Sequence, residues 1–121
     1  MEIGINSEIL AQILDGRKTV EGRLAKGKFL TIKPGDIISI REDIYHDGAI
    51  KESHNSAASL RVHDVKKFHT FKEMLKEYGY LSAIPSAKNL EDACEEYQLY
   101  YSPADEKAYG VLGISFNLLS S

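Results

Sequence analysis

The chain has one cysteine, no tryptophan and three prolines, and none of its apolar runs approaches the roughly 18 residues that a membrane-spanning helix requires. A single cysteine cannot form an internal disulfide, which fits a reducing compartment. The first ten residues carry no basic segment ahead of a long apolar run, so they do not resemble a secretory signal. These absences predict a cytoplasmic protein that does not contact a membrane.

Conventional catalytic and metal-binding signatures are also missing. The sequence has no Gly-x-Ser-x-Gly segment, no glycine-rich phosphate loop and no His-Glu-x-x-His. The four histidines lack the spacing of zinc ligands, and the four acidic neighbours of Cys94 disfavour its thiolate. We therefore predict no metal site, no cofactor and no cysteine nucleophile, and we expect Cys94 to be a buried structural thiol.

What the chain does have is an uneven distribution of charge. Its 15 basic and 18 acidic residues give a formal charge of -3, which argues against a protein that coats polyanions. Residues 16–33 nevertheless contain six basic residues and one acidic residue, whereas residues 89–107 contain six acidic residues and one basic residue. A length of 121 residues suits one domain, so we predict that a basic and an acidic segment share a single domain, residues 1–121.

Three segments have apolar residues at intervals of three and four, which predicts about three helices with one apolar face each. Each segment follows a residue that can cap a helix, and the second begins with a capping box. Tyr78 and Tyr97 occupy apolar positions, so we expect both to pack in the core. The predicted caps and ends are Asn6 or Ser7 and Gly16 for the first helix, Thr70 and Gly79 for the second, and Asn89 and Ser102-Pro103 for the third.

The remaining apolar segments predict strands in an α+β fold. Because helices and strands do not alternate strictly, a small mixed β-barrel or rolled sheet fits better than a doubly wound sheet. Pairing Ile3–Ile5 with Val111–Phe116 would close the barrel and remove its exposed edges. Residues 42–58 lack a sustained period and predict a long exposed loop or hairpin tip. The predicted strands are Ile3–Ile5, Thr19–Leu24, Ile37–Ile40, Leu60–Phe68 and Tyr109–Leu119.

The main candidate site is the segment Gly16-Arg17-Lys18-Thr19-Val20-Glu21-Gly22-Arg23. It places three cations, a carboxylate and a hydroxyl at a helix-to-strand junction, with Lys18 beside the strand face that carries Glu21 and Arg23. Phosphate or a nucleobase would match these groups. The alternative is that Glu21 and Arg23 lie on a solvated strand face, where an exposed ion pair contributes less than about 1 kcal/mol.

Several motifs together resemble the ASCH domain family of PUA-like barrels. The spacing Gly16-x-Lys18-x-x-Glu21-x-Arg23 is followed by Lys33-Pro34-Gly35-Asp36-Ile37-Ile38. Further matching blocks occur in the order expected for the family, so the resemblance runs from about residue 9 to residue 116. These blocks are Phe71-Lys72-Glu73-Met74-Leu75, Gly79, Pro85, Tyr100-Tyr101 and Gly110-Val111-Leu112-Gly113-Ile114.

The resemblance implies a PUA-like β-barrel with a cleft beneath the first helix, floored by residues 16–23, and a role in binding RNA or modified nucleotides. Lys18, Glu21 and Arg23 carry over as residues of a basic cleft. The partner would be single-stranded RNA or a modified nucleoside, with cations contacting phosphates and tyrosines stacking on bases. The candidate binding residues are Arg17, Thr19, Arg23, Lys26, Lys28 and Tyr101.

The resemblance also raises an enzymatic alternative, with Lys18 and Glu21 as catalytic residues. One branch of the family hydrolyses N4-acetylcytidine with a lysine, a threonine and a glutamate, and other members are reported as ribonucleases. The threonine of that branch falls at Glu21 here, and its glutamate has no secure counterpart, since Glu77 is one residue early. For Lys18 to act as a base, burial or nearby arginines must lower its pKa, whereas Glu21 would raise it.

A third possibility is that the acidic face of residues 91–106 binds another protein. Charged helical faces are usually only solvated, so we favour this least. The sequence does not decide between binding and turnover, and it leaves the ligand and the oligomeric state open.

Overall fold

A computed structural model describes residues 1–120. These residues form five strands and five helices. None of the helices within this range is long and apolar enough to cross a membrane. The strands are β1 (Glu2–Asn6), β2 (Val20–Leu24), β3 (Ile37–His46), β4 (Ala49–Phe68) and β5 (Val111–Ser120), the helices are α1 (Ser7–Leu14), α2 (Phe71–Tyr78), α3 (Tyr80–Ala83), α4 (Leu90–Gln98) and α5 (Pro103–Tyr109), and a 3-10 helix covers Gly27–Thr31.

The strands form one mixed sheet in the order β1-β3-β4-β5-β2. The pair β1 and β3 is parallel, and the other three pairs are antiparallel. The sheet curls into a half-barrel, which confirms the predicted α+β class.

The predicted pairing of β1 with β5 is wrong. Ile114 of β5 pairs with Val65 of β4 on one side and with Glu21 of β2 on the other, so β5 has no free edge for β1. Strand β1 pairs instead with β3, through Ile3 opposite Ile40. Within residues 1–120, β1 and β2 are therefore the two edges of the sheet, and the half-barrel is open between them.

Two apolar clusters lie on either side of β2. Val20 and Leu24 are buried with Gly22, whereas Glu21 and Arg23 are half-buried, which confirms the predicted alternation along this strand. The first cluster joins the sheet to α1 and includes Ile3, Ile5, Leu10, Ile13, Ile40, Val62 and Ile114. The second joins β2 to the helices and includes Val20, Leu24, Phe71, Met74, Leu75, Ala93 and Tyr97.

Most of the segment 42–58, predicted as a loop or hairpin tip, belongs to β3 and β4. The two strands form one long hairpin, and His46 pairs with Ala49 across a two-residue turn. Asp47 and Gly48 have φ angles of 52° and 79°, the left-handed values of the turn type that suits a two-residue hairpin. Residues 49–56 are exposed, so no apolar alternation marked them as a strand.

The structure has five helices where about three were predicted. The additional helices are α3, a single turn after Gly79, and α5. Ser102-Pro103, predicted to end a helix, starts α5. The Ser102 hydroxyl accepts a hydrogen bond from the backbone N–H of Asp105 at 3.1 Å, and the Asp105 carboxylate accepts one from the backbone N–H of Ser102 at 3.0 Å. Proline is favoured at the first position of a helix, so this dipeptide is also a start signal.

Candidate binding cleft

A cleft of about 650 Å³ lies at the opening between the two edges of the half-barrel. Strand β1 and helix α1 line one side, β2 lines the floor, and the segment after α3 and the end of α4 line the other side. The lining residues are Gly4, Ile5, Asn6, Glu8, Ile9, Gln12, Lys18, Glu21, Gly22, Arg23, Tyr45, Gly48, Ala83, Ile84, Ser86, Glu96, Tyr97, Tyr100 and Tyr101.

Backbone hydrogen bonds at the end of α1 position Lys18 in the cleft floor. The chain leaves the helix at Gly16, whose φ of +84° strains any residue with a side chain. The N–H groups of Arg17 and Lys18 both donate to the carbonyl of Gln12 at 3.0 Å, and the N–H of Thr19 donates to the carbonyl of Ser82 at 2.9 Å. These bonds attach the start of β2 to α1 on one side and to α3 on the other.

The Lys18 ammonium is buried, with 3% of the residue exposed. Its Nζ donates to the carbonyls of Val20 at 2.9 Å and Ala83 at 2.6 Å, and it lies 3.6 Å from Oε1 of Glu21. An ammonium has three N–H donors, and the two carbonyls accept from two of them, while Glu21 is an ion-pair partner beyond hydrogen-bond distance. Burial lowers the pKa of Lys18 and Arg23 adds to that effect, whereas Glu21 opposes it.

Glu21 lies between the two cations, with 17% of its side chain exposed. Its Oε1 accepts from the backbone N–H of Gly22 at 3.1 Å, and its Oε2 accepts from Nη2 of Arg23 at 3.4 Å. Burial favours a higher pKa for Glu21, but the charges of Lys18 and Arg23 outweigh it and lower the pKa. Glu21 is therefore an ionised acceptor on the cleft floor at neutral pH.

The Arg23 guanidinium contacts Glu21 on the cleft floor and an aromatic ring next to the cleft. It lies 5.2 Å from the centre of the Phe29 ring, in the geometry of a cation–π contact. Burial would lower the pKa of Arg23, but the charges of Glu21 and Tyr101 raise it above its ordinary value.

Tyrosines from the end of α4 form the aromatic side of the cleft. The Phe71 ring stacks on Tyr97 at 4.2 Å and on Tyr101 at 5.0 Å between ring centres. Tyr97 is 7% exposed, and its buried hydroxyl has no hydrogen-bond partner among the described residues. Tyr100 lines the cleft with its ring centre 6.5 Å from that of Tyr101, and it is 72% exposed.

Four of the predicted site residues line the cleft: Lys18, Glu21, Arg23 and Tyr101. The other four do not, and three of them have contacts elsewhere. Arg17 pairs with Asp15 at 2.8 Å, Lys26 lies 4.8 Å from the centre of the Tyr109 ring, Lys28 donates to the Glu2 carbonyl at 2.7 Å, and Thr19 is exposed. Glu77 also lies outside the cleft, where it pairs with Lys66 at 3.0 Å.

The cleft is mixed in charge rather than basic. Three carboxylates, Glu8, Glu21 and Glu96, face the two cations Lys18 and Arg23, which gives the lining a formal charge of -1. Lys26 and Lys28 follow the end of β2 and do not line the cleft, so the basic stretch of sequence does not make the cleft basic. Among residues 1–120, no three His, Cys, Asp or Glu side chains are placed to hold a metal ion.

Sequence reasoning missed two polar groups of the cleft and overstated the burial of Cys94. Gln12 is 6% exposed and lines the cleft; a glutamine within the apolar pattern of α1 was the available signal. The Tyr97 ring is buried as predicted, but no sequence pattern indicated that its hydroxyl would lack a hydrogen-bond partner. Cys94 is half-buried, and burial followed by the charge of Glu91 raises the pKa of its thiol.

The family and the structural relatives of the chain agree with this architecture. The ASCH domain model matches residues 3–120, so the chain belongs to the ASCH domain family. That family is generally RNA-binding. No curated protein gave a significant sequence match.

Three solved structures share the fold. The crystal structure of hypothetical protein PH0355 has a TM-score of 0.82 and 31% identity, over 98% of this chain and 97% of that chain. The solution structure of protein PF0455 from Pyrococcus furiosus has a TM-score of 0.76 and 32% identity, over 99% of this chain and 97% of that chain. Protein EF3133 from Enterococcus faecalis V583 shares only the fold, with a TM-score of 0.54 and 16% identity over 93% of this chain and 71% of that chain.

Proposed function

We propose that this protein binds RNA by taking one unpaired nucleobase into the cleft, without turnover. The observation that carries this proposal is the cleft floor, where ionised Glu21 lies between Lys18 and Arg23 beside tyrosine rings. A volume of about 650 Å³ is in the usual range for small-molecule sites. Membership of a generally RNA-binding family supports the same reading.

The charge of the cleft indicates which part of a nucleotide enters it. A lining with a formal charge of -1 disfavours a buried phosphate, whereas an uncharged base can use both its donors and its acceptors there. Unpaired bases are commonly held by stacking on aromatic rings and by hydrogen bonds to their edges. The exposed ring of Tyr100 and the half-buried ring of Tyr101 are suited to such stacking, which contributes about 1–3 kcal/mol per base.

The phosphates would then remain outside, next to cations at the end of β2. Arg23 and Lys28 lie over the same Phe29 ring, at 5.2 and 5.6 Å from its centre. A strand whose base occupies the cleft could therefore pass from Arg23 to Lys28 and Lys26. Glu96, which lines the aromatic side of the cleft, would repel phosphates from that side.

The contacts of Lys18 favour binding over catalysis. A neutral Lys18 would have two N–H groups for the carbonyls of Val20 and Ala83, which leaves its lone pair facing the Glu21 carboxylate. The ammonium form donates to both carbonyls and pairs in charge with Glu21, and it offers no lone pair to a substrate.

Hydrolysis is the second candidate, and one observation favours it. Burial lowers the pKa of Lys18, the direction that a general base requires, and the Glu21 carboxylate is 3.6 Å away to exchange the proton. The substrate would be the acetyl amide of N4-acetylcytidine or an RNA phosphodiester.

The test of binding is fluorescence anisotropy with short single-stranded RNA of mixed sequence. We expect binding at low salt that weakens about tenfold or more in Arg23→Ala, which loses a cation beside the phosphates, and in Tyr101→Ala, which loses a ring that stacks on the base. Lys33→Ala is the matched charge control, since Lys33 is exposed and pairs with Asp36 at 3.4 Å outside the cleft. Absence of binding by the wild type at low salt would rule out the proposed function.

Turnover is tested with the same preparation. Protein at a concentration near that of the substrate is incubated with N4-acetylcytidine or RNA, and products are separated by chromatography. Suppose that the wild type releases cytidine and acetate or cleaves RNA, and that Lys18→Met and Glu21→Gln both fail to do so. The function would then be hydrolysis rather than binding without turnover.

A further inference from the structure

Two groups on the cleft floor have hydrogen-bonding capacity that the protein does not use. The first is the Tyr97 hydroxyl: Tyr97 lines the cleft, and its hydroxyl is buried beside Gly22 with no hydrogen-bond partner among the described residues. A buried donor without an acceptor destabilises the unliganded protein, so a ligand atom that accepts from it is favoured. Desolvation raises the pKa of Tyr97 well above its ordinary value, which keeps this hydroxyl a donor.

The second group is the Glu21 carboxylate. Each of its oxygens has two lone pairs and accepts one hydrogen bond from the protein, from Gly22 at Oε1 and from Arg23 at Oε2. One lone pair on each oxygen is therefore left for a ligand. Two adjacent acceptors of this kind match a ligand with two adjacent N–H donors.

These unused groups define the edge of the ligand as two neighbouring donors and one acceptor. Among the four RNA bases, only guanine presents this set on its Watson–Crick edge, with the N1–H and N2–H groups beside the O6 carbonyl. Adenine and cytosine each place a ring-nitrogen acceptor next to one amino group, and uracil places its one N–H between two carbonyls. On those three bases, an acceptor would face a carboxylate oxygen.

We propose that the base selected by the cleft is guanine, with its N1–H and N2–H groups donating to Glu21 and its O6 accepting from Tyr97. This inference rests on the proposed function and specifies its ligand. A guanidinium group also carries paired donors, but Lys18 at 3.6 Å and Arg23 at 3.4 Å from Glu21 disfavour a third cation. A neutral base is the better complement.

The test compares RNA pentamers that differ only in a central G, A, C, U or inosine between uridines. Inosine keeps N1–H and O6 but lacks the N2 amino group. We expect the G pentamer to bind at least about tenfold more tightly than those with A, C or U, and inosine to lose about five- to tenfold, because a polar site discriminates strongly against an analogue that lacks a donor.

Two conservative variants test the assigned contacts. Tyr97→Phe should lower the affinity for the G pentamer about fivefold or more and leave the A, C and U pentamers within about twofold, since it removes one hydroxyl. Tyr78→Phe is the matched control, because the Tyr78 hydroxyl is also buried without a partner but lies outside the cleft. Glu21→Gln should remove the preference for G, and circular dichroism verifies that each variant is folded.

The outcomes separate the two proposals. Equal binding of all five pentamers, or an inosine pentamer equal to the G pentamer, would overturn the guanine assignment and leave base binding in place. Unchanged G preference in folded Tyr97→Phe and Glu21→Gln would also overturn it. No binding of any pentamer would overturn the proposed function together with the assignment.

Discussion

Gly22 is the residue at which the cleft floor meets the second apolar cluster. A Cβ at this position would lie 2.8 Å from the Tyr97 hydroxyl oxygen and 2.9 Å from the sulfur of Met74. Both distances are too short, so Gly22→Ala must displace the two side chains. We expect a loss of about 1–3 kcal/mol in the free energy of unfolding, measured by urea denaturation.

The double variant Gly22→Ala with Tyr97→Phe tests whether the hydroxyl is the obstacle. Removing the atom 2.8 Å from the new methyl group should restore part of the lost stability, so the two substitutions should not be additive. Strict additivity would show that Met74 alone accounts for the effect.

Glu21 should make part of the stability of the protein depend on pH. Its pKa in the folded protein is below the ordinary value of 4.5, because Lys18 and Arg23 outweigh the effect of burial. The unfolded chain therefore takes up this proton more readily, and the stabilisation by ionised Glu21 is present above about pH 4.5 and lost as the pH falls through the folded-state pKa.

We expect Glu21→Gln to be less stable than the wild type by about 1–2 kcal/mol at neutral pH, with the difference shrinking as the pH falls below about 4.5. Urea denaturation at several pH values measures it. The exposed Glu77→Gln is the control and should change stability little. A difference for Glu21→Gln that grows on acidification would contradict this assignment.

At the residue scale, the sequence predicted Lys18, Glu21 and Arg23 but neither the acidic residues Glu8 and Glu96 nor the hydrogen-bonding pattern of the cleft. The period of two along β2 placed Glu21 and Arg23 on one face, and this arrangement holds in the structure. The unused Tyr97 hydroxyl depends on a contact between α4 and β2, which no local pattern encodes.

Among the helices, α5 depends on its N-terminal cap. The reciprocal bonds between Ser102 and Asp105 satisfy two backbone donors that would otherwise lack partners. Ser102→Ala should lower the free energy of unfolding by about 1 kcal/mol, and Ser102→Thr should recover most of the loss. Urea denaturation of the two variants measures this. Because threonine can also cap a helix, an equal loss of stability in both variants would contradict the capping role.

The distal part of the β3–β4 hairpin should open independently of the rest of the sheet. Residues 49–56 are exposed, whereas Ala58, Leu60 and Val62 are buried in the first cluster. Local opening of an exposed ribbon needs little free energy. In hydrogen exchange followed by NMR, we expect the amides of 49–56 to exchange at least about a hundredfold faster than those of 58–62. Equal protection would show that a partner or a second copy covers the hairpin.

At the element scale, prediction succeeded where an apolar face was buried and failed where it was not. The sequence identified Asn6, Thr70 and Asn89 as cap residues because their side chains can accept from the first turn of a helix. In the structure each of them does so. The outer hairpin and α5 have little buried apolar surface, so their sequences carry no periodic signal. Strand pairing is a property of the whole sheet, and the wrong β1–β5 pair came from assuming that a small barrel closes.

For the molecule as a whole, the charge distribution predicts a shallow salt dependence of RNA binding. The formal charge is -3, and only Arg23, Lys26 and Lys28 are placed along the expected path of the phosphates. Two or three phosphate contacts to a single strand give a slope of about -1.5 to -2 in a plot of log K against log salt concentration. Anisotropy titrations over a range of salt concentrations measure it. A slope of about -5 or steeper would mean that phosphate contacts dominate.

The ammonium of Lys18 has a further consequence for how the protein behaves at high concentration. Its Nζ donates a hydrogen bond to the carbonyl of Val20 at the edge strand β2, and nearby the N–H of Thr19 donates to the carbonyl of Ser82. A sheet edge with free backbone groups recruits strands from other molecules. By donating to one such group, Lys18 disfavours self-association at this edge, and we expect Lys18→Met to form more aggregate than the wild type at high protein concentration.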